Sequence, residues 1–272
     1  MGPGGKEGDK SKPFGERVLL ALSRDPGMSD YIPAHVKYTM ENSLSLLCRV
    51  FPDFLSMIRG KRILDFGCGT GHQTVALALA GADFVVGLDM NLASLETACD
   101  LATELGVSAK VKFIPEMTPH QRHGFDLVIS KDSMEHYQEP VGALSAMIEA
   151  VHPTGRILIT FGPPWLAPYG SHMHFFTKLP WVHLLFTEKT VLGVRKHFRH
   201  DGATRYEEVE GGLNRMTVAR FEHLVQECGL KVIFRQDEYV KNLRSLGRVP
   251  GIKELFTNQV SCILAGSNPG ES

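Results

Sequence analysis

Two stretches of this 272-residue chain hold residues whose types and spacing could do chemistry. The first is ILDFGCGTGH, residues 63–72, where Gly67, Gly69 and Gly71 crowd behind a short apolar run. Glycines in such a place let the backbone turn sharply and come close to a ligand. Their spacing is G-x-G-x-G, not the G-x-G-x-x-G that sets a pyrophosphate on a helix N-terminus. Asp65 stands two residues before the first glycine, where a carboxylate disfavours a phosphate and suits a cation. In VVGLDMN, residues 85–91, Asp89 follows Gly69 by twenty residues. A carboxylate at a strand tip there can accept hydrogen bonds from both hydroxyls of a ribose. Met90 beside it offers an apolar surface for an adenine face.

The second stretch is FGPPWLAPYGSHMHFF, residues 161–176. It admits three readings: a Pro-Pro-aromatic turn that holds a nucleic-acid base, a metal site on His172 and His174, or the wall of another pocket. The two histidines alternate, so on an extended segment they point the same way, which permits a metal or a proton relay. A metal needs a further ligand and no acid lies nearby in sequence, so no metal is expected and pocket lining is preferred. Trp165 and Tyr169 supply flat apolar surface for an acceptor molecule. Between the two stretches, FDLVISKDSMEH (125–136) ends in Glu135 and His136, with Ser130 and Lys131 leaving the apolar run. His136 is a candidate general base because an imidazole titrates near neutrality; the alternative is a structural turn. Lys131 is a candidate contact for the acceptor.

These residues need elements to position them. Short apolar runs at Arg62–Gly67, Phe84–Asp89, Val111–Ile114, Phe125–Ser130 and Arg156–Phe161 read as buried parallel strands. Helical patterns at His72–Leu79, Leu92–Leu105 and Pro140–Val151 separate most of them. After Phe161 the alternation stops, then resumes with a helix at Thr217–Cys228 and strands at Lys231–Gln236 and Val260–Ala265. The fold class expected is α/β: a doubly wound, mostly parallel seven-stranded sheet with a closing antiparallel strand. N-terminal helices and an insertion after the fifth strand complete it. Residues 1–13 read as a disordered tail and 14–60 as a helical segment broken near Asp25-Pro26-Gly27 and Ile32-Pro33. Residues 61–272 read as one Rossmann-like domain, with the insertion at about 163–211. Ligands of such sheets bind beyond the carboxyl ends of the strands, so the 130–136 and 162–174 segments share a crevice with Asp89.

A ligand with a ribose, an ammonium and a sulfonium but no phosphate is S-adenosylmethionine. Over residues 60–162 the chain resembles the class I S-adenosylmethionine-dependent methyltransferases, and more loosely over 212–266. ILDFGCGTG resembles the first motif of that family and GLDMN its ribose-binding acid. FDLVISKDSMEH resembles the fourth-strand motif with its Glu-His pair. VHPTGRILIT (151–160) resembles the turn and fifth strand, with Thr154 where glycine is usual. LNRMTVARFEHLVQECGL (213–230) is similar to the helix before the last hairpin. The resemblance implies a cofactor site of Asp65, Gly67, Cys68, Gly69, Gly71, His72, Asp89, Met90, Glu116, Met117 and Ser130. The family often has an Asp after the third strand for the adenine amino group. Here VKFIPEMTP (111–119) has Met117 in that place and Glu116 beside it, so either Glu116 or backbone groups hold the adenine edge.

Composition narrows the partners. The net charge is −1, from 29 basic and 30 acidic residues, which lacks the footprint of a non-specific nucleic-acid binder. In the family's DNA-modifying members the Pro-Pro-aromatic motif follows the fourth strand, whereas here it follows the fifth, after Gly162. The five cysteines are scattered and form no CxxC pair, so neither a disulfide framework nor a zinc site follows from them. No apolar run is long enough to span a bilayer. The expectation is a cytoplasmic enzyme that methylates a small-molecule acceptor, first at a hydroxyl or carboxylate oxygen. His136, His172 and His174 are its candidate catalytic residues, and Lys131, Trp165 and Tyr169 its acceptor contacts. C- or N-methylation of a small metabolite comes second, then nucleic-acid methylation or a cofactor-binding module without catalysis.

Overall fold

The computed structural model describes residues 12–24, 42–241 and 243–266. The breaks expected at Asp25-Pro26-Gly27 and Ile32-Pro33, and most of the 1–13 tail, lie outside the described residues. The apolar runs form the strands β1 (Arg62–Phe66), β2 (Phe84–Leu88), β3 (Val111–Ile114), β4 (Phe125–Lys131) and β5 (Val151–Phe161). Two further strands, β6 (Leu230–Tyr239) and β7 (Thr257–Gly266), close one seven-stranded sheet of order β3-β2-β1-β4-β5-β7-β6. β1 to β5 pair in parallel, and β7 runs antiparallel to both β5 and β6. The order reverses between β1 and β4, which opens a crevice beyond their carboxyl ends.

The helices are α1 (Phe14–Ala21), α2 (Ser45–Val50), α3 (Phe54–Ile58), α4 (His72–Leu79), α5 (Leu92–Glu104) and α6 (Pro140–Ala150). Then come α7 (Val182–Leu185), α8 (Glu188–Arg195) and α9 (Val218–Glu227). Period-two alternation divides the strands between two faces. Ile63, Val85, Leu127 and Leu158 meet Phe54 and Ile58 of α3, Val75 of α4 and Ala102 of α5. Leu64, Val86, Val128 and Ile157 meet Leu144 and Met147 of α6 and Phe221 and Leu224 of α9. α9 is capped by Thr217, whose hydroxyl accepts from the Arg220 N–H, and it turns Val218, Phe221, Leu224 and Val225 inward. Each such side chain contributes about 1.5–3 kcal/mol by leaving water.

The insertion builds a third core of its own. Met173, Phe176, Val182, Val191, Leu192 and Tyr206 pack with Leu19 of α1. The N-terminal helices therefore divide: α1 joins the insertion, where the Arg24 N–H donates to the Phe176 carbonyl at 2.9 Å, while α2 and α3 cover the sheet. The basic residues in 195–200 are partly tied down. Arg195 is 4% exposed and grips Asp201 through both terminal nitrogens, and the Arg199 guanidinium lies 4.6 Å from the Phe175 ring centre. Among the described residues no helix is long and apolar enough to cross a membrane.

Candidate active site

The turn from β1 into α4 floors a cleft. It is lined by Asp65, Gly67 to Thr70, His72 and Gln73, and on the far side by Ser43 and Lys131 to Ser133. The N–H groups of Gly67 and Cys68 both donate to the Leu88 carbonyl, at 2.8 and 2.9 Å, which ties the turn to the end of β2. The Gly69 N–H donates to Asp89 Oδ2 at 2.8 Å, and the Asn91 N–H donates to Asp89 Oδ1 at 2.9 Å. Each oxygen of Asp89 thus accepts one backbone donor and keeps lone pairs for others. Gly71 has a different task from its neighbours. Its φ is +78°, and a Cβ there would stand 2.5 Å from Ala98 Cβ, so it lets α4 approach α5.

Asp65 is 1% exposed and accepts from Gln73 Nε2 at 2.7 Å and Thr74 Oγ1 at 2.6 Å. Burial pushes its carboxyl up to about 6, against the hydrogen bonds of Thr74 and Gln73 and the charge of Lys131. Burial likewise pushes the Cys68 thiol far up, so Cys68 is a protonated packing group and not a nucleophile. Ser130 is buried, and its hydroxyl lies 2.9 Å from the Tyr137 hydroxyl, which donates to the Phe66 carbonyl at 3.0 Å. The phenol has one proton, so Ser130 donates to it. Ser130 therefore acts under the glycine turn, through Tyr137.

Lys131 Nζ donates to the Ser43 carbonyl at 3.0 Å, holding the approach to α2 beside the cleft. Asp132, at φ +52°, accepts from Gln259 Nε2 at 2.9 Å and Thr160 Oγ1 at 3.2 Å, which joins the β4 exit to β5 and β7. Glu135 is 3% exposed and accepts from the Gly162 N–H at 3.0 Å. His136 Nδ1 lies 2.7 Å from the Gly212 carbonyl, and its ring meets that of His172 edge to face at 5.4 Å. A carbonyl only accepts, so Nδ1 carries the proton and the lone pair of the neutral ring is on Nε2.

Several expectations are corrected here. His172 and His174 do not point the same way, because the segment is not extended. His172 is left-handed at φ +57° and enters a 3-10 turn, Met173–Phe175. His172 then meets His136, while His174 is exposed and meets the Tyr169 ring at 6.3 Å. Trp165 is half-buried and packs on the insertion's own core. Its ring packs against those of His183 and Tyr206 at 4.6 and 4.9 Å, with Arg215 over it. Trp181 explains the proline-rich run: its N–H donates to the Pro168 carbonyl and its indole N–H to the Leu166 carbonyl. Tyr169 is half-buried and donates to the Lys178 carbonyl. Met117 is half-buried and lines a hollow with Ala146 and Ala150 of α6, while Glu116 is exposed. Met90, next to Asp89 in the chain, is 87% exposed.

Sequence reasoning missed Ser43, Gln73, Thr74, Tyr137 and Asn214. Gln73 and Thr74 were within reach, since they follow the glycines at the start of α4 and face back along β1. Ser43 and Asn214 carry no local signal, because their partners lie 88 and 77–80 residues away. Among the described residues no cluster of three or more His, Cys, Asp or Glu side chains is placed to hold a metal ion.

Residues 58–163 match a family model described as a methyltransferase domain. A ubiquinone biosynthesis O-methyltransferase of Neisseria meningitidis serogroup C is 36% identical over 107 residues, which are 38% of this chain and 44% of that protein. One from Bordetella avium is 33% identical over 105 residues, 38% of this chain and 43% of that protein. The match thus spans less than half the length of these curated relatives. Among solved structures, an S-adenosylmethionine-dependent methyltransferase from Mesorhizobium loti is similar over 83% of this chain and 99% of its own, with TM-score 0.55 and 15% identity. The [4+2]-cyclase SpnF is similar over 94% of both chains, with TM-score 0.56 and 14% identity. At these identities the likeness establishes the fold alone.

Proposed function

We propose that this chain, whose residues 58–163 match a methyltransferase-domain model, is a class I S-adenosylmethionine-dependent methyltransferase that methylates an oxygen of a small-molecule acceptor, a hydroxyl or a carboxylate. One observation carries the reading: the cleft lined by Asp65 and by the glycine turn that Asp89 accepts from lies at the same sheet end as an imidazole, His136, whose Nδ1–H is held by a carbonyl. The fold by itself does not choose the chemistry, since a [4+2]-cyclase shares it. The two curated relatives described above are ubiquinone biosynthesis O-methyltransferases, which supports oxygen as the acceptor atom.

The cleft residues fit the methyl donor. Asp89 has lone pairs to spare for two ribose hydroxyls, and a Cβ at Gly69 would meet nothing within 4 Å, so the turn leaves room beside it. Asp65 suits an ammonium, and Met90 offers an apolar rim for a purine. When bound, the donor supplies an electrophilic methyl group on a sulfonium. The chain must then align the acceptor, keep water out and remove a proton from a hydroxyl acceptor. His136 takes that proton on Nε2 while the Gly212 carbonyl steadies the imidazolium through Nδ1–H. Lys131, at the β4 exit and lining the cleft, is a cation that suits an acceptor carboxylate or phenolate. A soluble, cytoplasmic enzyme that does not act on nucleic acid belongs to the same proposal.

The test is transfer of a labelled methyl group to a panel of phenols, carboxylic acids and amines. Transfer to a hydroxyl or carboxylate is expected, reduced roughly 10²- to 10⁴-fold in His136→Ala for a hydroxyl acceptor. Tight donor binding with no transfer to any acceptor overturns the reading. Undiminished transfer to hydroxyls in His136→Ala removes the base.

A further inference from the structure

The exit of the insertion is laced onto the turn that carries His136. The Asn214 N–H donates to the Glu135 carbonyl at 3.0 Å. Its Nδ2 donates to two more carbonyls, Met134 at 2.9 Å and Tyr137 at 2.7 Å. Two residues earlier, the Gly212 carbonyl accepts from His136 Nδ1 at 2.7 Å. Residues 212–214 thus meet the 134–137 turn through four hydrogen bonds, three of them from Asn214.

The chemistry of these groups fixes their orientation. Carbonyls only accept, so the carboxamide of Asn214 must turn its nitrogen to both. That leaves Asn214 Oδ1 buried without a hydrogen-bond partner. Leaving such a group unpaired is costly, and the three donated bonds are set against that cost. Asn214 is itself anchored. Its carbonyl accepts from Arg220, and Arg215, left-handed at φ +58°, is ion-paired to Glu188 and Glu207.

We propose that Asn214 is a positioning residue for His136. It holds the 134–137 turn where the Gly212 carbonyl selects the Nδ1–H tautomer, so that Nε2 is the atom that accepts a proton. The proposal rests on the reading of His136 as the base, but the tautomer can be observed without any turnover. Order in the insertion is thereby coupled to the protonation geometry of a residue on β4's exit, 78 residues earlier in the chain. A purely structural clamp would change stability and leave the ring's tautomer alone.

The experiment uses the full chain labelled with ¹⁵N, with long-range ¹H–¹⁵N spectra of the imidazoles above their titration range. His136 is assigned by its absence from His136→Gln. In the wild type His136 is expected in the Nδ1–H form. In Asn214→Ala, and in the equal-volume Asn214→Asp that sets an oxygen against two carbonyls, Nε2–H signals appear. In both variants kcat falls roughly 10- to 100-fold, with donor affinity within about twofold of wild type. A wild-type ring in the Nε2–H form overturns the proposal, as does a wild-type tautomer population in a folded Asn214 variant. If His136→Gln leaves transfer unchanged while Asn214→Ala still shifts the tautomer, the assignment of the base fails and the control of the ring by Asn214 stands.

Discussion

Asp65→Asn is expected to stabilise the ligand-free protein at neutral pH and to weaken its hold on the methyl donor. Asp65 is 1% exposed, and burial raises its carboxyl from an ordinary 3.8 to about 6, despite hydrogen bonds from Thr74 and Gln73. Because the folded pKa is the higher one, the unfolded chain releases this proton first as pH rises. Between about pH 4 and 6 the folded state holds more protons, so stability falls through that window and stays lowered above it. Ionising Asp65 therefore costs folding about 3 kcal/mol at pH 7.5 and nothing below pH 4. Asparagine has the same shape, can accept from Gln73 Nε2 and donate to Thr74 Oγ1, and has no charge to desolvate. Thermal unfolding of the ligand-free variant at pH 7.5 is expected roughly 5–10 °C above wild type, with the gap closing toward pH 4. Titration calorimetry with S-adenosylmethionine is expected to run the other way, with affinity lower by about ten- to a hundredfold, the value of a charge-assisted hydrogen bond. Wild-type affinity should itself decline below about pH 6 as protonation competes with the ligand, and the variant should lack that decline. A variant that melts no higher than wild type at pH 7.5 refutes the desolvation argument. Unchanged affinity refutes the contact.

Gly71→Ala places a Cβ 2.5 Å from Ala98 Cβ at φ +78°, so denaturant unfolding should show a loss of about 2–4 kcal/mol; a loss below about 1 kcal/mol contradicts the close approach of α4 and α5. Buried Arg195 holds the carboxyl of the exposed Asp201 down at about 2, so the pair's stability is present above about pH 4 and lost as pH falls toward 2. Asp201→Asn should therefore melt below wild type at pH 7 and lose less than wild type between pH 4 and 2 in circular dichroism melts; parallel profiles would contradict the pairing.

The parallel sheet was legible because its causes are local. Each of β1 to β5 is an apolar run with turn residues at its ends, and each is found within a few residues of where the pattern puts it. The helix patterns at His72–Leu79 and Pro140–Val151 are equally local. The cofactor side of the cleft was legible for the same reason, since the glycine turn, Asp65 and Asp89 sit on consecutive βα units whose geometry repeats. Even there, Gly71 proved to serve helix packing, and Ser130 acts through Tyr137. A sequence motif records that a small or polar residue is needed, and not which neighbour needs it.

The acceptor side was legible only as composition. A period of two predicted His172 and His174 on one side, but a left-handed residue followed by a 3-10 turn breaks that period and sends the rings apart. An aromatic such as Trp165 suits either a pocket or a core, and its packing on Tyr206 and His183, 41 and 18 residues away, carries no local signal. By itself the sequence determined the strand order's raw material, the glycine turn and the two carboxylates, because each depends on neighbours within a few residues. Only the tertiary structure decided which histidine faces which, that Asn214 grips the His136 turn, and that the insertion closes on α1. Those contacts join segments far apart in the chain, and hydrogen-bond direction there is set by the partner across the gap.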